Sequence, residues 1–218
     1  MNVKTLKMNI KNLLFWNIDT QIDFVHPDGK LYVPGAELLK PVWKDLTRLA
    51  AEKSIRVVNT SDYHKSSSPE INGSPDFVKT FPEHCLAGSR GAEFIKETKP
   101  ENQIIFDWDR EYDINQLLDK SKKYRNIVIR KDVFDVFDGN PYTDDILKFL
   151  NPETVIVYGV ATNFCVDAQV KSLNKRKLKI YVVEDAIKEL PDVPLPFAQW
   201  DEMGVHRIKY DQIVNMLG

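Results

Sequence analysis

Thr154-Val-Ile-Val-Tyr-Gly159-Val-Ala-Thr-Asn-Phe-Cys165-Val-Asp-Ala168 is the stretch in which a strand gives way to a helix. The β-branched run 155–157 predicts a strand that is buried on both faces, as in a parallel sheet. Gly159 ends this strand, and Thr162 or Asn163 can cap a helix whose apolar residues recur at helical spacing. Alternating strands and helices of this kind build an α/β sheet.

Cys165 lies in the first turn of that predicted helix. Unpaired backbone N–H groups and the positive end of the helix dipole there favour a thiolate over a thiol, which predicts a nucleophile. A free cysteine behind a core strand can equally be a small buried hydrophobic residue. A base, an orienting charge and a pocket elsewhere in the chain would distinguish the two alternatives.

Composition and charge limit the class of protein. The chain has 218 residues, 43% hydrophobic and 28% charged, which predicts one domain over residues 1–218. The 30 basic and 32 acidic residues nearly balance, so no nucleic-acid or membrane partner is expected. Residues 1–7 lack the apolar run of an export signal and no other run is long enough to span a bilayer, which predicts a cytoplasmic protein. Two cysteines, Cys85 and Cys165, are too few for a disulfide scaffold and are consistent with a reducing compartment.

Strands and helices alternate on both sides of the opening stretch. Strands are predicted at 13–18, 55–59, 103–106, 126–130 and 178–183, with a further short one at 205–208. Helices are predicted at 36–53, 114–122, 144–150, 197–203 and from 211. The pattern predicts a single three-layer α/β/α domain with a mostly parallel, Rossmann-like six-stranded sheet.

Reactive side chains follow the predicted strands, at the edge where an open parallel sheet forms its crevice. Asp19 follows the first strand, Asp62 and His64 follow the second, and Lys131 follows the strand at 126–130. Each has an ordinary alternative. Asp19 can be a solvated loop carboxylate, Asp62 and His64 hydrated loop residues, and Lys131 a surface lysine.

The segment 66–85 has little periodicity and predicts a long loop, and such loops are usually functional. His84, near Pro82, can return to Asp62 and His64. Two histidines and one carboxylate would form a metal site with open coordination positions. Histidines in loops are also common without a metal, so hydration remains the alternative.

Five stretches together resemble the isochorismatase-like cysteine hydrolases. They are Asp19-Thr-Gln-Ile-Asp-Phe24, Asp62-Tyr-His64, Phe81-Pro-Glu-His84-Cys85-Leu-Ala-Gly88, Ile129-Arg-Lys131 and Gly159-Val-Ala-Thr-Asn-Phe-Cys165-Val-Asp167. The Gly-Val-Ala-x-x-x-Cys-Val pattern is specific for the superfamily. The Asp-x-His pair with Pro-x-His-Cys makes the chain most similar to the metal-containing nicotinamidase branch.

The resemblance implies a triad in which Cys165 is the nucleophile, Asp19 takes its proton and Lys131 stabilises the charged pair. A carboxamide would then be hydrolysed through a thioester. The resemblance also implies a cis peptide between Val160 and Ala161, with an oxyanion hole formed by the N–H groups of Ala161 and Cys165.

By the same resemblance, Asp62, His64 and His84 hold one divalent metal ion, zinc foremost, with iron or manganese as alternatives. Phe24 and Phe81 would flank the pyridine ring of nicotinamide while its nitrogen docks on that ion. The implied protein is a homo-oligomer that hydrolyses nicotinamide to nicotinate and ammonia in NAD salvage.

Three departures from the family pattern leave alternatives open. Phe81 stands where tryptophan is usual, and Glu70 stands where some members place another histidine ligand, so Glu70 is either a further ligand or a loop carboxylate. The segment 131–137 is shorter than the usual nicotinamidase loop. A cysteine amidohydrolase acting on another amide or carbamoyl substrate is the first alternative, and a non-catalytic metal-binding protein is the second.

Overall fold

A computed structural model describes residues 7–218, so residues 1–6, on which the predicted absence of an export signal partly depends, lie outside the described part. Seven parallel strands form one sheet in the order β3-β4-β2-β1-β5-β6-β7. The strands are β1 (Leu13–Ile18), β2 (Arg56–Asp62), β3 (Gln103–Phe106), β4 (Asn126–Lys131), β5 (Thr154–Val160), β6 (Lys179–Lys188) and β7 (His206–Ile208). The predicted α/β fold is confirmed. Its sheet has seven strands rather than six because the short run at 206–208 pairs with β6 as an edge strand.

Helices cover both faces of the sheet. They are α1 (Ile22–Val25), α2 (Lys40–Glu52), α3 (Ile114–Ser121), α4 (Val136–Gly139), α5 (Thr143–Leu150), α6 (Asp167–Lys175), α7 (Phe197–Glu202) and α8 (Tyr210–Leu217). Short 3-10 turns occur at Ile10–Asn12, Ala36–Leu39 and Arg90–Ala92, and a π-turn spans Thr162–Val166. Every helix described within residues 7–218 is too short or too polar to cross a bilayer.

Two hydrophobic layers hold the helices to the sheet. On one face, α2 and α8 contribute Trp43, Leu46 and Ile213. On the other face, α6 and α7 contribute Val170 and Trp200, together with residues of α3 and α5. Because both faces are covered, the central strands are apolar along nearly their whole length.

The polar atoms of the buried tryptophans are satisfied. The indole N–H of Trp16 donates to Gln169 Oε1 at 2.7 Å, and that of Trp43 donates to Ala186 O at 2.9 Å. A large apolar side chain can thus be buried without leaving an unpaired donor, whose cost would offset part of the gain.

The strand order places four carboxyl ends side by side. β1 lies between β2 and β5, and β4 lies on the far side of β2. Gly159, near the end of β5, has φ 129°, and a Cβ there would lie 2.0 Å from the backbone oxygen of Ile18. Glycine at this position therefore lets the chain of β5 approach β1 closely just before it turns toward Cys165.

Candidate active site

Three reactive side chains meet beyond the ends of β1, β4 and β5. Asp19 follows β1, Lys131 ends β4, and Cys165 lies in the π-turn after β5. Lys131 Nζ lies 3.0 Å from Asp19 Oδ2 and 3.7 Å from Cys165 Sγ. All three residues are buried. The structure therefore brings together the carboxylate, amine and thiol that the sequence placed at separate strand ends.

Lys131 is a buried cation held by two carboxylates. It pairs with Asp19 and donates a hydrogen bond to Asp62 Oδ1. Burial lowers the pKa of its ammonium group, but the charges of Asp19 and Asp62 outweigh burial and raise that pKa well above its ordinary value. Lys131 is therefore protonated at neutral pH and acts as a fixed positive charge.

Asp19 is a carboxylate whose proton affinity is tuned toward neutral pH. Burial raises its pKa to about 6, and the charge of Lys131 opposes that rise. Thr60 Oγ1 donates to Asp19 Oδ1 at 2.7 Å, which favours the ionised form. A carboxylate with a pKa near 6 can both accept and return a proton at neutral pH.

The π-turn that carries Cys165 differs from the predicted capped helix. Ala161 precedes the turn, and no side chain caps it. The side-chain amide of Asn163 instead donates to Leu190 O at 2.9 Å and to Val193 O at 3.1 Å. Asn163 thereby attaches the proline-rich loop after β6 to the turn that carries the thiol.

The prediction that Cys165 is a resting thiolate is wrong for this arrangement. Burial raises the pKa of its thiol, Lys131 lowers it, and the carboxylates of Asp19 and Asp62 raise it further. The prediction considered only the helix start and left out burial and the facing carboxylates. Two carboxylates that could accept the thiol proton, Asp19 and Asp62, each have an oxygen within 4.8 Å of Cys165 Sγ.

Gln21 fixes the backbone at the end of β2. Its side-chain Nε2 donates to Asp62 O at 2.8 Å, and its Oε1 accepts from Asp62 N at 2.8 Å. The same Nε2 donates to Ala92 O at 2.9 Å. Gln21 thereby holds the Asp62 carboxylate beside Lys131, a role that the sequence analysis missed although Gln21 lies in the segment after β1.

Asp62, His64 and His84 form a second cluster beside the thiol. One ligand atom of each lies within 4.8 Å of the others. Asp62 Oδ2 is 3.7 Å from the Nε2 atom of each histidine. All three side chains are buried, so the alternative of hydrated loop residues is excluded.

This donor set fits a divalent ion. The Nε2 atom of His64 and the Oε2 atom of Glu70 are buried, and neither has a hydrogen-bond partner among residues 7–218. Buried polar atoms without partners cost free energy, and a cation between them would remove that cost. Two imidazoles and one carboxylate match the preferences of zinc, and also those of iron and manganese.

Glu70 is a buried member of the same region. It is 4% exposed, its Oε1 accepts from Phe134 N at 2.5 Å, and its Oε2 lies 4.0 Å from His64 Nε2. Burial and the nearby Asp62 raise its pKa to about 8. Glu70 is thus a buried loop carboxylate, and its Oε2 faces the cluster.

An apolar pocket opens beside Cys165 and the metal-ligand cluster. It is lined by Cys165, Asp62, His84, Ala161, four phenylalanines (Phe24, Phe81, Phe134 and Phe164) and the aliphatic residues Leu31, Val33 and Leu190. No lysine or arginine appears among these described lining residues. The free volume is about 20 Å³, room for roughly one water molecule.

Three phenylalanines pack edge to face at this pocket. The ring centroids of Phe81 and Phe134, and of Phe81 and Phe164, are 5.5 Å apart, and those of Phe134 and Phe164 are 5.8 Å apart. Phe134 and Phe164 were not singled out from the sequence. Their position in the short segment after Lys131 and next to Cys165 was the signal that could have identified them.

Three residues that the sequence analysis singled out line the pocket. Phe24, Phe81 and Ala161 all line the pocket. The peptide bond between Val160 and Ala161 is cis.

Comparison with known proteins gives a family match over most of the chain. The model of the Isochorismatase domain matches residues 13–203. A stretch of 77 residues is 35% identical to the nicotinamidase/pyrazinamidase of Mycobacterium tuberculosis, covering 35% of this chain and 40% of that protein. The nicotinamidase of Saccharomyces cerevisiae is 25% identical over 206 residues, covering 81% of this chain and 88% of that protein.

Solved structures with the same fold include two enzymes with different names. The pyrazinamidase of Pyrococcus horikoshii in complex with zinc has a TM-score of 0.71 and 23% identity, covering 91% of this chain and 99% of that one. The N-carbamoylsarcosine amidase of Thermoplasma acidophilum has a TM-score of 0.70 and 22% identity, covering 92% and 97%. At these identities the likeness concerns the fold.

Proposed function

The chain belongs to the isochorismatase family of hydrolases, and from this premise we propose that it is a nicotinamidase, which hydrolyses nicotinamide to nicotinate and ammonia in NAD salvage. The observation that carries the proposal is the joint placement of Asp19, Lys131 and Cys165 against an aromatic pocket that also contains Asp62 and His84. The same proposal treats residues 1–218 as one catalytic domain.

The first half of the reaction forms a thioester. Asp19 takes the proton of Cys165 as Sγ attacks the carboxamide carbon, and Lys131 stabilises the resulting negative charges. The N–H groups of Ala161 and Cys165 donate to the carbonyl oxygen, which becomes negatively charged in the tetrahedral intermediate. Asp19 then returns the proton to the leaving nitrogen, the C–N bond breaks, and ammonia departs.

The second half restores the thiol. Asp19 takes a proton from a water molecule that attacks the thioester carbon, the C–S bond breaks, and Cys165 regains its proton while nicotinate leaves. A pKa of about 6 suits Asp19 to both halves, because the carboxyl group changes state easily near neutral pH.

Asp62, His64 and His84 would hold the metal ion, for which we propose zinc, with iron and manganese as alternatives. When bound, the ion supplies a positive charge that orients the lone pair of the pyridine nitrogen. Phe24 and Phe81 would flank the ring. The names of the fungal and mycobacterial relatives and of the zinc-bound archaeal structure support this assignment.

The pocket also supports an uncharged aromatic substrate over the alternative named for the archaeal amidase. The planar pyridine ring of nicotinamide can stack on aromatic walls, whereas N-carbamoylsarcosine has no ring. The described lining residues offer four phenylalanine rings and no lysine or arginine. The short segment 131–137 is the observation that keeps another amide or carbamoyl substrate as the second candidate.

Ammonia release from nicotinamide by the purified protein, with its metal content measured, tests the proposal. We expect release that disappears in Cys165→Ala and persists in Cys85→Ala, because Cys85 is not among the described residues that line the pocket. Release from N-carbamoylsarcosine instead would support the second candidate. A metal-loaded protein that hydrolyses neither amide would move the search to a panel of other amides, and failure with the whole panel would support the non-catalytic metal-binding alternative.

Assembly and compartment belong to the same proposal. We expect a cytoplasmic homo-oligomer, as in the family that the chain belongs to. Light scattering of the purified protein measures the assembly, and fractionation of the source cells locates the protein.

A further inference from the structure

Asp132 lies directly after Lys131 at the end of β4. Its Oδ1 lies 3.3 Å from His64 Nδ1 and also accepts a hydrogen bond from Ser68 Oγ. The backbone beside it is held in place, because Tyr63 N donates to Lys131 O at 3.0 Å. The ends of β2 and β4 therefore bring this carboxylate and the His64 ring into one fixed arrangement.

The contact determines which nitrogen of His64 is available to an ion. A carboxylate opposite Nδ1 occupies that nitrogen with a hydrogen bond, so Nε2 is the nitrogen left to face an ion. Nε2 is the buried atom that has no hydrogen-bond partner among residues 7–218, and it lies 3.7 Å from Asp62 Oδ2. The ring is thus turned so that its free nitrogen faces the other candidate ligands.

His84 is oriented in a different way. Its Nδ1 lies 2.8 Å from the backbone oxygen of Pro82. A carbonyl oxygen can only accept, so His84 also presents Nε2 to the cluster. Only the orientation of His64 depends on a side chain, and that side chain is Asp132.

We propose that Asp132 is a positioning residue for the metal site, which holds the His64 ring in the orientation that turns its Nε2 toward Asp62 and a divalent ion. The proposal rests on the metal site of the proposed function and adds a residue that touches neither ion nor substrate. Ser68 extends the arrangement, because its Oγ accepts from Lys65 N at 2.8 Å while it donates to Asp132. The start of the loop at 66–80 is thereby attached to the metal site.

Metal affinity of the full chain measures this role without any substrate. Zinc is titrated against a competing chelator in the wild type, Asp132→Asn and Asp132→Ala. Loss of such an outer carboxylate typically weakens metal binding by about 10-fold to 100-fold. We expect Asn, which keeps an acceptor oxygen, near the low end of that range, and Ala near the high end.

Two further variants separate positioning from general loss of charge or of fold. Asp109→Asn removes a carboxylate that pairs with Lys65 at 2.7 Å in the same region, and we expect its zinc affinity to match that of the wild type. Ser68→Ala keeps the charge of Asp132 but removes the hydrogen bond from Ser68 Oγ that helps to fix the Asp132 side chain. We expect a smaller loss of affinity in Ser68→Ala, which provides the test should the Asp132 variants fail to fold.

A spectroscopic readout identifies the ring that changes. In the cobalt-loaded protein, the Nδ1 protons of the two ligand histidines should give two hyperfine-shifted proton resonances that exchange slowly with solvent. In Asp132→Ala we expect one of these resonances to broaden or disappear, because the His64 proton then exchanges freely.

Two results would overturn the proposal. The first concerns Asp132 alone, and the second also concerns the metal site. Zinc affinity of both Asp132 variants within about twofold of the wild type would reject Asp132 as a positioning residue and leave the metal site intact. A wild type that binds neither zinc nor cobalt would reject the metal site as well, while ammonia release would still test the thiol chemistry.

Discussion

At the scale of the residue, the buried charge of Lys131 is the feature on which the site depends. Its ammonium group is fully buried between Asp19 and Asp62. Removing one member of a buried ion cluster leaves the remaining charges without compensation, which is far more costly than losing a surface pair.

We expect Lys131→Met to lower the free energy of unfolding by about 3–5 kcal/mol, because two buried carboxylates lose their cation. Urea denaturation of metal-free protein measures this loss. Lys122→Met, which removes an exposed lysine, serves as the control and should change stability by less than about 0.5 kcal/mol. A loss below about 1 kcal/mol in Lys131→Met would contradict the buried cluster.

The pKa of Asp19 gives the site a pH dependence with a definite sign. The ionised carboxylate is the form that takes the thiol proton, and burial raises its pKa to about 6. The kcat/KM for nicotinamide should therefore fall as the pH falls through about 6. Thr60 favours the ionised form, so Thr60→Val should move this acidic limb to higher pH.

The pH profile of kcat/KM measures the shift. Ser121→Ala is a matched control, since it also removes a buried hydroxyl. That hydroxyl donates to Leu118 O within α3 and makes no hydrogen bond to Asp19. An acidic limb that stays in place in Thr60→Val would mean that another group controls it.

The meeting of residues at strand ends was predictable from the topology, whereas most contacts made by loop residues were not. Parallel topology requires that Asp19, Asp62, Lys131 and Cys165 approach one another, because the carboxyl ends of adjacent strands share one edge. The contacts of Glu70, Asp132 and Phe134 depend on how the loops fold back, which periodicity does not encode. The prediction of a thiolate at Cys165 was wrong for a related reason. The pKa of the thiol depends on carboxylates that reach it only in the folded chain.

At the scale of the element, the junction of β5 with the π-turn determines where the thiol lies. Gly159 pairs with Ile18 of β1, and its conformation belongs to the region that favours glycine. The strand itself was predictable from its β-branched run, whereas the π-turn was not, because its residues would fit an ordinary helical turn equally well.

We expect Gly159→Ala to lower the free energy of unfolding by about 3 kcal/mol or more, because the added Cβ meets the backbone oxygen of Ile18 in a strained conformation. Thermal or urea unfolding measures the change. In Gly73→Ala the new Cβ meets nothing within 4 Å, so a change within about 0.5 kcal/mol is expected. Equal stability of the two variants would show that the sheet tolerates a side chain at Gly159.

At the scale of the whole molecule, the metal-ligand cluster links the end of β2 to the long loop that ends at His84. An ion that binds only the folded chain stabilises it by mass action, by about 2.7 kcal/mol when its free concentration is 100 times its Kd. For a chain of this length, 1 kcal/mol corresponds to about 2–4 °C in Tm.

Removal of the metal by a chelator should therefore lower Tm by about 5–10 °C from that of the protein in zinc at 100 times its Kd. Scanning calorimetry with and without chelator measures the shift. The His84→Ala variant, which lacks one candidate ligand, should respond little to chelator. A wild-type Tm that ignores both chelator and added zinc would contradict a structural contribution of the ion.

The two cysteines lie on opposite sides of the sheet. Cys85 packs in the layer with α2 and α8 and is 0% exposed, whereas Cys165 belongs to the layer with α6 and α7. Each layer of the core thus contains one cysteine that an alkylating reagent can label. Timed alkylation followed by mass spectrometry would measure the alkylation rate of each cysteine separately. Equal rates would mean that the two layers open together, and faster alkylation of Cys165 would mean that its layer opens independently.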